Sequence, residues 1–403
     1  MKKILFIGHD ANRAGAQLVL LQMLRMLRQR GVPTHLLLCG DGPLEPEYRQ
    51  LTGVTKLPQP VTRLFGWRID KVLYLLRIGQ WLHRREEEKR RKAFEEEIKS
   101  VGADLVLINT VTCSKGYRDI APWVSGLPAV LFAHELEMAV RMYTQPDNLR
   151  FTLDRSRHLI AVSKAVARYY SEAYGFDPGR ISTFQLIDIP NLLAKIEQAR
   201  ALPDVLAQHG VPADAVVIGG CGNAEWRKGN DLFNVIAEQV ISRYPDRPVY
   251  FVWVGMPRSP LYEDLHLDLR KAGLTAQVLL IEPTPEVFRY TSRFDIFALC
   301  SREDPYPLVA LEAALSETPV VCFEKAGGAP ELVEEDGGFV VPYLDTVAMA
   351  DSIGKLIDDE TLRRTMGRQL RRKVLERHSS EQSMDQFLSI VDQQTTTASR
   401  YAT

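Results

Sequence analysis

The sequence predicts an α/β protein built from two doubly wound domains. Continuously apolar runs of strand length recur along the chain with helix-length segments between them, as expected of parallel strands covered on both faces. The chain has 403 residues, too many for one ordinary core. A polar, proline-punctuated helical stretch at 187–214 divides the apolar runs into two sets.

The first set is ILFI (4–7), HLLLC (35–39), DLVLIN (104–109), AVLFA (129–133) and HLIAV (158–162). The second is VVIGGC (216–221), VYFVWVG (249–255), QVLLI (277–281), FDIFALC (294–300), PVVCF (319–323) and GFVV (338–341). Alternation with helices makes each set one wound unit, giving domains at 1–187 and 188–375. After a last helical segment, the polar Thr/Ser stretch 396–403 reads as a disordered tail. The run RREEEKRRKAFEEEIK (84–99) places Glu86, Glu87 and Glu88 four residues before Arg90, Arg91 and Lys92 and reads as a solvated helix face. Residues 63–85 mix Leu, Phe, Trp and Tyr with Arg and Lys. The preferred reading is a helix packed on the first sheet with snorkelling arginines; the alternative is an amphipathic helix on an anionic membrane surface.

Composition narrows the function. With 45% hydrophobic and 25% charged residues and a net charge of -1, the chain has the balance of a globular protein and no electrostatic footprint for nucleic acid. Its five scattered cysteines include no CxxC pair and read as small hydrophobes in a reducing compartment. The apolar start ends at Gly8-His9-Asp10, too short for a signal-peptide core, and no run is long enough to span a bilayer. A cytoplasmic location is expected, with the inner face of the membrane as the site of any surface contact. The sequence does not fix the oligomeric state.

Four constellations carry chemistry. In SREDPYPLVALEAAL, acids Glu303 and Asp304 end a strand, and Glu312 lies on the second turn of the following helix. Ligands bind at that edge of an open parallel sheet, where two carboxylates can hold a polyhydroxylated ligand and the amides of Leu308 and Val309 can receive an anion. In GGCGNAEWRKGNDLF, Arg227 and Lys228 precede a helix and suit a diphosphate, the arginine by chelation and the lysine as a point charge. Gly327-Gly328 forms a tight loop before Glu331 enters a short helix. In the first domain, Gly15 opens a helix after a polar loop, and His134 and Glu135 follow a buried strand; His134 reads equally as structural or catalytic.

Taken in chain order, the loop at Gly15, His134, AVSKAV (161–166), the RKG turn, EDPYPLVALEA and GGAPE resemble the retaining, nucleotide-sugar-dependent glycosyltransferases of family four. The resemblance covers nearly the whole chain. It implies the GT-B architecture of two facing Rossmann-like domains with a deep cleft between them, and a last helix, about 376–395, crossing back to the first domain. It implies that Glu312 binds the donor ribose, that Arg227 and Lys228 neutralise the diphosphate, and that the Leu308 and Val309 amides cap its distal phosphate. It also places His134 beside the donor sugar, and Gly15 and Gly328 along the cleft. Asn223 stands where many members carry an arginine, with Arg227 as its substitute. The family's usual Glu–Glu pair is Asp304 and Glu312 here, with Glu303 just before; which of Glu303 and Asp304 faces the sugar stays open. The reaction implied is transfer of a sugar from a UDP- or GDP-sugar to a glycan or lipid-linked acceptor in bacterial polysaccharide or lipopolysaccharide assembly. No cofactor is required, and without an Asp-x-Asp motif no metal is expected. The alternatives are a nucleotide-sugar epimerase and a non-catalytic nucleotide-sugar-binding protein. A dinucleotide-dependent dehydrogenase is disfavoured because GxGxxG is missing.

Overall fold

A computed structural model describes residues 1–58 and 79–400. The chain forms two compact units. Met1–Ile160, Gly179–Ser182 and Met384–Thr403 make the first; Ala161–Pro178 and Thr183–Ser383 make the second.

The first unit carries a seven-stranded sheet of β1 (Ile4–Gly8), β2 (Thr34–Leu38), β3 (Gly53–Lys56), β4 (Leu105–Asn109), β5 (Ala129–Ala133), β6 (Ser156–Ala161) and β7 (Ile181–Thr183), in the order β3-β2-β1-β4-β5-β6-β7. Ile4 pairs in parallel with Thr34 on one side and Leu105 on the other. The winding direction therefore reverses between β1 and β4, which brings Gly8 and Asn109 to one crevice at the carboxyl edge. The central strands β1, β4 and β5 are buried at every residue, matching their unbroken apolar sequence. The sequence reading missed β3 and β7. Both are edge strands, short and partly exposed, so nothing selects an apolar run there.

The second unit carries a six-stranded sheet of β8 (Val216–Cys221), β9 (Val249–Val254), β10 (Val278–Ile281), β11 (Ile296–Leu299), β12 (Val320–Phe323) and β13 (Gly338–Val341), in the order β10-β9-β8-β11-β12-β13. Its reversal falls between β8 and β11. Phe233, Phe251 and Trp253 fill one face, with the Phe233 ring edge-on to the other two at centroid distances of 5.3 and 5.1 Å. On strand β8, Gly219 is required by close approach. A Cβ there would stand 1.9 Å from the ring of Phe294.

Residues 161–178 and 183–187, expected with the first domain, group with the second unit. Their helix, Lys164–Tyr174, is capped by Ser163 Oγ, which accepts from the Val166 amide (3.1 Å) and donates to the Pro305 carbonyl (2.8 Å). Glu331 accepts from the amides of Lys164 and Ala165 at 2.9 and 2.7 Å. These bonds satisfy the orphan donors of the helix from loops of the second unit. At the seam, Asp188 caps the helix Ile189–Ala201 through the Asn191 amide.

The last helix, Ser380–Arg400, lies with the first unit from Met384 onward. Met384 and Phe387 are fully buried, and Arg30 Nη1 donates to Asp385 Oδ1 at 2.6 Å. The helix continues into the stretch from 396 that reads as a tail. Most of segment 63–85, expected as a helix on the first sheet with a membrane surface as the alternative, lies outside the described residues. Beyond it, the helix Gly79–Ser100 shows the expected Glu86–Arg90 pair at 3.1 Å, and its Phe94 and Ile98 are buried. Among the described residues no helix is long and apolar enough to cross a membrane. The five cysteines carry free thiols, three of them buried.

The ring of Phe294 lying on bare backbone gives a test. Gly219→Ala should cost about 1–3 kcal/mol through overpacking, read as a lower urea midpoint. Adding Phe294→Leu should recover part of that loss. Fully additive losses would contradict the contact.

Candidate functional site

Three loops of the second unit leave the carboxyl ends of β8, β11 and β12, and Asp304 joins them. Its amide donates to the Ala326 carbonyl (2.6 Å), and its carbonyl accepts from the Gly328 amide (3.2 Å), a parallel bridge between Asp304 and Gly327. Gly327 holds φ 135°, and a Cβ on it would lie 1.8 Å from the Asp304 carbonyl oxygen, so the approach requires glycine. The Asp304 side chain turns to the third loop. Lys228 Nζ stands 2.5 Å from Oδ2, with both side chains nearly buried, and Ser301 Oγ approaches the same oxygen at 3.4 Å. Oδ1 has no hydrogen-bond partner among the described residues.

The Lys228 loop is tied to its neighbours by hydrogen bonds and ion pairs. It ends in a short 3-10 turn, Trp226–Lys228, ahead of the helix Asn230–Ile241. The Arg227 carbonyl accepts from the amides of Arg302 (2.7 Å) and Glu303 (3.3 Å). Arg302 forks onto Asp231 at 2.8 and 2.7 Å and lies over the Trp226 ring. The Arg227 side chain pairs with Glu225, Nε to Oε2 at 2.7 Å. Lys228 and Asp304 are thus brought into direct contact, where two separate grips had been expected. Arg227 also donates from Nη1 to the Glu303 carbonyl at 3.5 Å, Glu303 is half-buried beside the loop, and Asn223 is exposed.

Helix Leu308–Leu315 follows, with Pro307 before its first turn and no side-chain cap. The amides of Leu308 and Val309 have no acceptor among the described residues. Glu312, on the second turn, is half-buried and also lacks a hydrogen-bond partner among them. Desolvation pushes its carboxyl up to about 7. Gly328 is buried, and the Glu331 carboxylate caps the helix at Lys164.

In the first unit, Gly15 is exposed at the start of the helix Gly15–Gln29. Asp10 orders the preceding loop by accepting from the Asn12 amide (2.9 Å) and Gln17 Nε2 (2.7 Å). His134 follows β5. Its Nε2 lies 3.2 Å from Asn109 Oδ1, and its ring packs on Phe132 at 4.1 Å between centroids. Desolvation lowers the imidazole to about 3, so it is neutral at ordinary pH. Glu135 is buried and accepts from the His134 amide (3.0 Å), the Val111 amide (3.4 Å) and the Thr110 hydroxyl. Thr110 stands at φ 90°, an unusual value for a β-branched residue. Sequence reasoning missed Asn109 and Thr110, whose only signal is their place at the carboxyl end of a buried strand. Among the described residues no group of three or more His, Cys, Asp or Glu could hold a metal.

Among the described residues, the second-unit edge therefore presents a paired ammonium, helix amides without acceptors and a carboxylate without a hydrogen-bond partner. Such a set can bind an anion and a hydroxylated group side by side.

Comparison with known proteins places the chain in a family. Residues 13–185 match the family described as Glycosyltransferase Family 4, and residues 215–359 match Glycosyl transferases group 1. A D-inositol 3-phosphate glycosyltransferase of Corynebacterium urealyticum is 31% identical over 175 residues, 41% of this chain and 41% of that protein. That of Catenulispora acidiphila is 28% identical over 214 residues, 51% and 49%. The matches thus span about half or less of these relatives' length. Anabaena Alr3699/HepE, solved in complex with UDP and glucose, superposes with TM-score 0.74 at 21% identity, covering 97% of this chain and all of that one. WaaG, a glycosyltransferase involved in lipopolysaccharide biosynthesis, gives 0.64 at 14% identity over 95% and 98%. At such identities these likenesses speak to the fold, which is GT-B. With one model of the family matched in each half, the chain belongs to the group 1 glycosyltransferases of family four.

Proposed function

We propose that this protein is a retaining glycosyltransferase that moves a sugar from a nucleoside-diphosphate sugar to a glycan or lipid-linked acceptor. The observation that carries this reading is Glu312, a carboxylate with no hydrogen-bond partner among the described residues, on the helix whose first amides are open to an anion. Ribose hydroxyls donating to Glu312 and phosphate oxygens accepting from Leu308 and Val309 would satisfy both at once. The neighbour solved with UDP and glucose, and a structure of the same protein with UDP-glucose, support a UDP-sugar as the first donor to try, with GDP-sugars as the alternative. The inositol-phosphate and lipopolysaccharide transferases among the similar proteins support an acceptor in bacterial glycan or glycolipid assembly. A lipid-linked acceptor would bring the chain to a membrane surface.

In the reaction, the bond from the anomeric carbon to the leaving phosphate oxygen breaks and its electron pair stays on the phosphate. The acceptor hydroxyl attacks from the same face, and its proton passes to the departing phosphate. Negative charge builds on that phosphate while the sugar becomes oxocarbenium-like. Lys228 has three donor hydrogens, so it can keep Asp304 and still take a phosphate oxygen. Asp304 Oδ1 then serves a hydroxyl of the transferred sugar, with Glu303 as the neighbouring acid. Arg227 adds positive charge from the rim, and His134 contacts the donor sugar. A fixed cation aimed at developing charge lowers the barrier more than it tightens substrate binding.

Ligand binding is read most simply by thermal shift with UDP, GDP, ADP and their sugar conjugates. A ligand at a hundred times its dissociation constant adds about 2.7 kcal/mol, and Glu312→Gln, which binds more weakly, should shrink the shift well below that of wild type. A full shift in that variant would remove Glu312 from the ribose site.

Proton linkage gives a second check. Glu312 has a folded pKa of about 7 against an ordinary 4.5. The native state keeps its proton where the unfolded state has lost it, so this group's contribution to apo stability falls as pH rises from 4.5 towards 7. Ribose binding favours the carboxylate, so nucleotide affinity should rise with pH up to about 7 and then level off. Calorimetry across pH 5.5–8.5 should show that rise in wild type and a flat profile in Glu312→Gln. An equally sloped variant would contradict the assignment.

Lys228 and Asp304 should behave as one unit. Removing either charge leaves the other nearly buried and unpaired, a loss of about 3–5 kcal/mol. Lys228→Met with Asp304→Leu should recover much of that stability, and turnover should stay roughly a hundredfold or more below wild type. Recovered turnover in the double variant would eliminate both from the chemistry.

A further inference from the structure

We propose that Asn109 is the positioning residue for His134: it holds the imidazole in the tautomer with hydrogen on Nε2 and leaves Nδ1 as a fixed acceptor for a ligand hydroxyl. The inference rests on the reading of His134 as a ligand contact and adds to it a tautomer, a direction and a partner.

Asn109 is the last residue of β4, 1% exposed, and its amide bridges two elements. Asn109 Nδ2 lies 3.2 Å from the carbonyl of Ala16, in the helix that Gly15 opens. A backbone carbonyl can only accept, so the amide nitrogen must face it. Oδ1 is thereby turned to His134 Nε2, 3.2 Å away. That oxygen also only accepts, so Nε2 carries the hydrogen. The tautomer follows from the Ala16 carbonyl through one asparagine.

Other contacts hold the ring in place. Phe132 lies against it, and Glu135 takes the His134 amide. Glu135 also holds the Thr110 hydroxyl and the Val111 amide, which fixes the turn just beyond Asn109. Thr110 at φ 90° is part of that turn, a strained conformation kept at a carboxyl strand end. Nδ1 alone has no partner among the described residues. A ring held neutral by desolvation can accept a hydroxyl hydrogen there. It supplies neither a proton nor a positive charge.

The test is nitrogen-15 spectroscopy of the whole chain labelled in histidine, with His134→Gln to assign the ring. Wild type should show a hydrogen-bearing Nε2 and a bare Nδ1, unchanged from pH 5 to 8. Asn109→Leu should raise the minor tautomer roughly five- to tenfold, the worth of one hydrogen bond. Asn109→Asp puts a carboxylate against the ring and should bring its titration into that pH window. If Asn109→Leu does not fold, wild type and Asn109→Asp still decide. Hydrogen on Nδ1 in wild type, or an unchanged tautomer ratio in a folded Asn109→Leu, would overturn the positioning role. Saturating UDP-glucose, its binding confirmed by melting shift, should move the Nδ1 resonance. An unmoved resonance with the tautomer as stated would overturn the hydroxyl contact and leave the positioning intact.

Discussion

The second unit depends on one close approach. The backbone of Asp304 meets that of Gly327 because no side chain stands between them. This places the Asp304 carboxylate within reach of Lys228, on the loop across the switch point between β8 and β11. Three loops far apart in sequence become one surface through a single residue, its backbone tied to one loop and its side chain to another. A nearly buried ion pair is costly to form. It is understandable where the lysine must be held still and charged for a ligand that supplies the remaining negative charge. The Arg302–Asp231 fork over the Trp226 ring ties the same loop from outside.

The two units use opposite electrostatics. In the second, charges are paired, and the helix amides and Glu312 are left open. In the first, the imidazole is kept neutral by desolvation and directed by an asparagine. A neutral acceptor suits hydroxyl recognition, whereas a fixed cation with open amides suits a phosphate. Each arrangement follows from the same feature of wound parallel sheets, which gather their loops at the carboxyl edge where the strand order reverses.

Much of this was legible in the sequence, for reasons visible in particular elements. The central strands announced themselves because burial on both faces demands unbroken apolar runs, as in LVLIN at β4 and IFAL at β11. Strands β3 and β7 did not, since an edge strand answers to fewer neighbours. Lys228, Asp304 and Glu312 were legible as chemistry at strand ends and helix starts. Their mutual arrangement was not, because the Lys228–Asp304 contact depends on how closely two backbones approach. Glu331 was legible only as entering a short helix; that it caps a helix 167 residues earlier in the chain depends on tertiary packing. Asn109 gave no sign, as an asparagine ending a strand is ordinary until the carbonyl of Ala16 gives its amide a direction.

The central claim is that the switch-point edge of the second unit holds a sugar nucleotide. A crystal structure of the whole chain grown with UDP-glucose, and in parallel with a GDP-sugar, tests it most directly. The account predicts ribose hydroxyls on the Glu312 carboxylate, with diphosphate oxygens at the Leu308 and Val309 amides and at Lys228 Nζ. A nucleotide seated elsewhere on the chain, or bound there with Glu312 and Lys228 turned away from it, would contradict the account.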